Sequence, residues 1–171
     1  MKREERIAEA RIRGAASAES RAAQEEERAK QIHDRLVRVG PEEAQRRVSA
    51  AQLGRGTRYV GPIKTPGDWD RAVEIARDVT IEAARNRRTI TYGELRYAVL
   101  DELDALVGWS MFGQLAMRVN LNSDGVLLSA IIVHQGDGKP GDGFIPYARS
   151  QGFDGEVATL QRHVFDHFSP S

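Results

Sequence analysis

His134 closes an apolar run and is followed, across a glycine-rich segment, by Asp137 and Asp142. An imidazole with a carboxylate partner is what a general base requires, so a hydrolytic or metal-dependent reaction would rest on these three residues. Carboxylates and backbone carbonyls in such a segment can hold Ca²⁺, but the spacing is not that of an EF-hand loop. Lys139 stands among glycines, yet Pro140 follows it, so the phosphate-loop string ending in Gly-Lys-Ser/Thr is missing. His163 and His167, four apart, would share one helix face, as two metal ligands must. Val164 occupies the place where a metalloprotease helix carries glutamate. Ser129 sits inside the apolar run without the Gly-x-Ser-x-Gly elbow that exposes a nucleophile. The glycine-rich segment reads foremost as a plain connecting loop. No catalytic residue is assigned, and no metal or cofactor is expected.

The most concentrated basic patch is Arg85-Asn86-Arg87-Arg88-Thr89. It directly precedes Thr91-Tyr92-Gly93-Glu94, whose Thr-x-x-Glu spacing is that of a capping box. Arginines beside a helix N-terminus are what a nucleic-acid phosphate would meet. The competing reading is a solvated helix end, where arginine complements the C-terminal dipole of the preceding helix.

Composition narrows the classes. The 171 residues suffice for one domain of ordinary size and an extension. The formal net charge is zero, with 14 Lys+Arg against 10 Asp+Glu up to Val60 and the opposite imbalance after it. The large basic excess of a dedicated nucleic-acid binder is absent, so any basic surface must be local. Zero cysteines exclude disulfides, cysteine nucleophiles and zinc-thiolate sites. The charged opening Met1-Lys2-Arg3-Glu4-Glu5-Arg6 is not a signal peptide, and no run is apolar enough to span a bilayer. A cytoplasmic protein is expected.

Helical periodicity predicts a long helix from Lys2 to Val39, rich in Ala, Glu, Arg and Gln. Its stripe is mostly alanine before Ile32, so it reads as a partly solvated arm, or as an element that docks on a partner or a second copy. Gly40-Pro41 stops it, and a short helix from Glu42 to Leu53 follows. A glycine-marked connector puts the boundary of the arm (residues 1–56) and a compact domain (residues 57–171) between Leu53 and Pro66. Asp68 is read as the N-cap of a helix ending near Asn86. Helices are expected from the Thr91 capping box and from Trp109 to Val119. Asn120 to Gly125 is a turn cluster. Val126 to Val133 is read as a buried strand, Gly136 to Gly143 as a loop or wing, and Phe144 to Tyr147 as a short returning strand. A last amphipathic helix, Gly155 to Phe168, turns Val157, Leu160, Val164, Phe165 and Phe168 inward. The fold class is therefore α/β or α+β, a small sheet with helices around it.

Thr89-Ile90-Thr91-Tyr92-Gly93-Glu94-Leu95 resembles the entry to the winged-helix domain of alkylguanine-DNA alkyltransferases and alkyltransferase-like proteins. In that family a Thr-Tyr-Gly opens the first helix of a helix-turn-helix. A glycine-bearing helix ending near an Asn comes next, as Phe112-Gly113-Gln114-Leu115-Ala116 through Asn120 does here. A buried strand and a glycine-containing wing then follow, like Val126 to Val133 and Asp137 to Phe144. The resemblance covers Thr89 to Phe144. The family's reactive Pro-Cys-His-Arg is missing, which excludes alkyl transfer, and Ser110 stands where its arginine precedes the helix glycine. The resemblance implies a winged-helix-like domain with Tyr92 as a phosphate contact. Gly138-Lys139-Pro140-Gly141-Asp142-Gly143-Phe144 also resembles uncharacterised actinobacterial and phage proteins, which implies no activity.

These readings lead to a non-enzymatic nucleic-acid-binding accessory or regulatory protein. Arg85, Arg87, Arg88 and Tyr92 would meet phosphate, Gln114 and Arg118 would face a groove, and Lys139 would touch backbone. The alternatives are a protein-interaction adaptor acting through the N-terminal helix and an enzyme centred on His134, Asp137 and Asp142.

Overall fold

The computed structural model describes residues 3–54, 61–121, 123 and 125–169, and within these the side chains of 3–10, 13 and 109 are left aside. Arg55 to Val60 of the expected connector, and Asn122 and Asp124 of the turn cluster, lie outside the described residues. The chain is mostly helical with a small two-stranded parallel sheet, an α+β arrangement.

Helix α1 runs Arg3–Val39 and α2 runs Pro41–Gln52, parted by Gly40 at φ 74°. The described side chains from Arg11 to Arg28 are exposed, as the alanine-dominated stripe predicts. From Ala29 onward the helix docks: Ala29, Ile32 and Leu36 are buried, and Val39 packs against the core. Burying Ile32 and Leu36 contributes about 1.5–3 kcal/mol each. Arg28 and Arg35 then pair with Glu102 and Asp101. Ala44 and Val48 of α2 belong to the same core, so this core reaches well before residue 57.

Helix α3, Pro66–Arg85, buries the face predicted for it, including Ala72, Ile75, Ala76, Val79 and Ala83. Its N-cap is Thr65 rather than Asp68: the Thr65 hydroxyl oxygen accepts from the Asp68 amide at 3.0 Å and donates to the Asp68 carboxylate at 2.7 Å. Pro66 fills the first helical position, where no amide hydrogen is needed, and so the helix starts earlier than an Asp68 cap would place it.

Strand β1 is Ile90–Thr91 and α4 is Tyr92–Leu103, opened by the predicted capping box of Thr91 and Glu94. Within α4, Arg96 is wholly buried and its Nε donates to the Val107 carbonyl at 3.0 Å. Burial lowers its pKa to about 10, which leaves it charged at neutral pH. Helix α5, Trp109–Arg118, follows; Phe112, Leu115 and Val119 beyond its end point inward.

The apolar run from Val126 is not a full strand. It is a 3₁₀ turn at Leu128–Ile131 followed by β2, Ile132–Val133, which pairs in parallel with β1 in the register Ile90 to Ile132. Apolar burial alone does not separate strand from tight turn, and β1 offers only two residues of ladder. Phe144 to Tyr147 is likewise helical, inside α6, Phe144–Ser150. Pro146 lies in the first turn, where its missing amide is no loss. Helix α7, Val157–Phe168, buries Leu160 and Val164 and rests Val157, Phe165 and Phe168 on the core. Among the described residues no helix is long and apolar enough to cross a membrane.

Candidate nucleic-acid interface

Helix α5 is amphipathic, and its outer face presents Gly113, Gln114, Met117 and Arg118. Met111 and Met117 are about two-fifths exposed, at 39% and 42%. Arg118 is exposed, with Asp70 Oδ1 at 3.7 Å. Beside this helix runs the loop from His134 to Gly143. It is folded by its own bonds: the His134 amide donates to the Lys139 carbonyl at 2.8 Å and the Gly138 amide to the His134 carbonyl at 3.0 Å. Asp137 caps the turn by accepting from the Lys139 amide at 3.0 Å.

Tyr92 joins helix and loop. Its ring stands edge-on to Phe112 at 5.1 Å and tilted against His134 at 4.8 Å. Its hydroxyl oxygen accepts from the Gly141 amide at 2.9 Å. Burial pushes its pKa upward, so it stays a phenol. A hydroxyl that accepts still has a proton to give. The approach at Gly141 is close: a Cβ there would lie 3.1 Å from the Tyr92 hydroxyl and would press on it.

Between α5, the loop and α6 lies a cavity of about 170 Å³ with Tyr92, Gly113, Met117, Ser129, Phe144 and Tyr147 in its wall. Asn120, just past α5, braces the Ser129 wall with its side-chain amide. The turn cluster was legible in the sequence; the role of Asn120 within it was not.

The sequence-predicted residues separate into two groups. Tyr92, Gln114, Arg118 and Lys139 belong to α5, the loop or the bridge between them. Of the seven, only Tyr92 lines the cavity, and Arg85, Arg87 and Arg88 are engaged with other elements. Arg85 pairs with Glu26 of α1 at 2.8 Å and Glu82 at 3.2 Å. Arg87 bonds Asp166 of α7 at 2.9 Å and lies over the Phe165 ring. Arg88 is half-buried between His33 and Glu94. Gly93 and Glu94 in the first turn of α4 are also buried, Gly93 against Gln45 of α2 and Glu94 beside Arg88.

At the alternative centre, the His134 ring packs on Tyr92, and Asp137 spends one carboxylate oxygen on its own turn. Among the described residues no group of three or more His, Asp or Glu is placed to hold a metal ion. The chain matches no family model, no curated protein and no solved structure.

Proposed function

We propose that this protein binds nucleic acid through α5 and the loop from His134 to Gly143, without chemistry on it. The observation that carries the reading is the bond from the Gly141 amide to the Tyr92 hydroxyl. It ties the Lys139 loop to Tyr92 at the start of α4, whose ring stands edge-on to Phe112 of α5, the helix that exposes Gln114 and Arg118. A helix with a glycine-rich loop at its side is the arrangement a winged-helix domain uses on a duplex, which agrees with the resemblance of Thr89 to Phe144 to the alkyltransferase-like family. Gln114 is suited to base edges, while Arg118 and Lys139 are suited to phosphate. Arg85, Arg87 and Arg88 would reach phosphate only by leaving their present carboxylates, so they contribute less.

Fluorescence anisotropy with labelled duplex and single-stranded DNA tests this. Binding should weaken steeply between about 50 and 200 mM salt. Arg118→Glu and Lys139→Glu should each weaken it several-fold on every sequence, and Tyr92→Phe should weaken it by loosening the loop. Arg87→Glu should change it little. No retention of either DNA at low salt sinks the reading.

A second reading is favoured by one observation: Ile12 is 69% exposed on a helix whose described residues from Arg11 to Arg28 touch solvent. The protein would then be an adaptor that docks on a partner or a second copy through α1. Sedimentation of the full chain over a wide concentration range, against Ile12→Lys, separates self-association from its absence.

A further inference from the structure

His33 lies on the docked part of α1 and is 4% exposed. Its Nε2 accepts from Arg88 Nε at 2.8 Å. A ring nitrogen that accepts carries no proton, so the imidazole is neutral and its hydrogen sits on Nδ1. That Nδ1 is buried without a hydrogen-bond partner, and Asp34 Oδ1 stands 3.9 Å from it. Arg88 Nη1 donates to Glu94 Oε1 at 3.1 Å and to the Thr89 carbonyl at 3.0 Å, while its Nη2 is buried without a partner. The other Glu94 oxygen closes the capping box by accepting from the Thr91 amide at 2.8 Å. One chain of contacts thus runs from α1 through Arg88 to the start of α4.

Four charged groups face His33: Arg88 in the turn after α3, Glu82 on α3, Glu94 on α4, and Asp34 on its own helix. Unsatisfied donors beside a buried, neutral histidine mark a junction that is poised rather than sealed.

We infer that His33 is a proton-sensitive latch that fastens the docked end of α1 to the body of the protein. A proton on Nε2 removes the acceptor that Arg88 uses and sets two cations side by side in a buried place. The docked turns of α1 then lift from α3 and α4, swinging about Gly40, whose φ of 74° already sets a sharp corner between α1 and α2.

The direction follows from linkage. Burial first and Arg88 second hold the His33 pKa below 6.5, and Glu82, Asp34 and Glu94 oppose them less strongly. The docked state therefore binds the proton less readily than the released one. Docking is complete above the ordinary histidine range and weakens as pH falls through and below it. This inference does not depend on nucleic-acid binding.

The chain has no cysteine, so Ser20→Cys on α1 and Ser150→Cys on α6 give a clean labelled pair for energy transfer in the full-length protein. The expected result is constant transfer above about pH 7 and a reversible loss between pH about 6.5 and 5. His33→Gln keeps an acceptor for Arg88 but does not titrate, and its transfer should stay flat over that range. His33→Lys should show the released state at neutral pH. An independent reading comes from the imidazole ¹⁵N shifts of the unmodified chain, which should report an Nδ1–H tautomer and a His33 midpoint below 6.5. Transfer that never changes with pH, the same change in His33→Gln, or a midpoint at or above 6.5 would overturn the latch.

Discussion

Asn120 grips Ser129 twice: its Oδ1 accepts from the Ser129 amide and its Nδ2 donates to the Ser129 hydroxyl, both at 2.9 Å. The pair ties the end of α5 to the 3₁₀ turn that leads into β2. Ser129 is nearly buried, so its amide has no easy substitute in water.

Asn120→Ala should therefore cost about 1–3 kcal/mol, the range for leaving a buried amide unsatisfied. Asn120→Asp should cost less, because the Oδ1 acceptor survives and the serine hydroxyl can turn to donate. Urea unfolding checks this, with a lower midpoint and an unchanged slope as the expected result.

Gly93 of α4 faces Gln45 of α2. A Cβ on it would lie 2.6 Å from Gln45 Oε1 and 3.3 Å from Gln45 Cβ. Gly93→Ala should destabilise by no more than about 1 kcal/mol, because the nearest atom is the free end of a flexible side chain that can swing away. Gln45→Ala should recover most of that loss in the double variant although it gains nothing alone. A thermodynamic cycle over the four proteins measures the coupling.

Asp78 on α3 is half-buried, and burial, reinforced by Glu25 and Glu74 against the opposing Arg77 and Arg71, raises its carboxyl pKa above 3.8. The folded state holds this proton more tightly than the unfolded chain, so the group's contribution to stability falls as pH rises through its folded pKa. Asp78→Asn should raise the melting temperature at neutral pH, and the gain should vanish below the ordinary aspartate range. A melting series between about pH 3 and 8 reads both limbs.

How legible this structure was depended on how local the deciding forces were. The Thr91–Glu94 capping box is written in four consecutive positions, and α4 begins where those positions say. Thr65 was missed as a cap because Asp68 is an equally good cap residue, and only the course of the chain through Pro66 decides between them. The apolar run before His134 satisfies strand and tight turn alike, and the outcome turned on how much edge β1 offered. At the candidate site, the order of α4, α5 and glycine-rich loop was visible. The Tyr92 to Gly141 bond was not, since nothing near either residue announces the other. The arginines from 85 to 88 showed the same limit: as a string they are a basic patch, yet Glu26 and His33 of α1 and Asp166 of α7 reach them from far along the chain. His33 gave no signal at all, being one polar residue on a charged helix.

The parallel pairing of Ile90–Thr91 with Ile132–Val133 has a kinetic consequence. Closing it requires the chain to bring together two short segments with α4 and α5 strung between them, and two residues of ladder return little for that loss of freedom. Helices adjoining in the chain, such as α1 and α2 with Gly40 between them, need no such closure. The sheet should accordingly be among the last contacts to form and the first to open, and folding rates should respond to Ile90→Val chiefly on the unfolding limb.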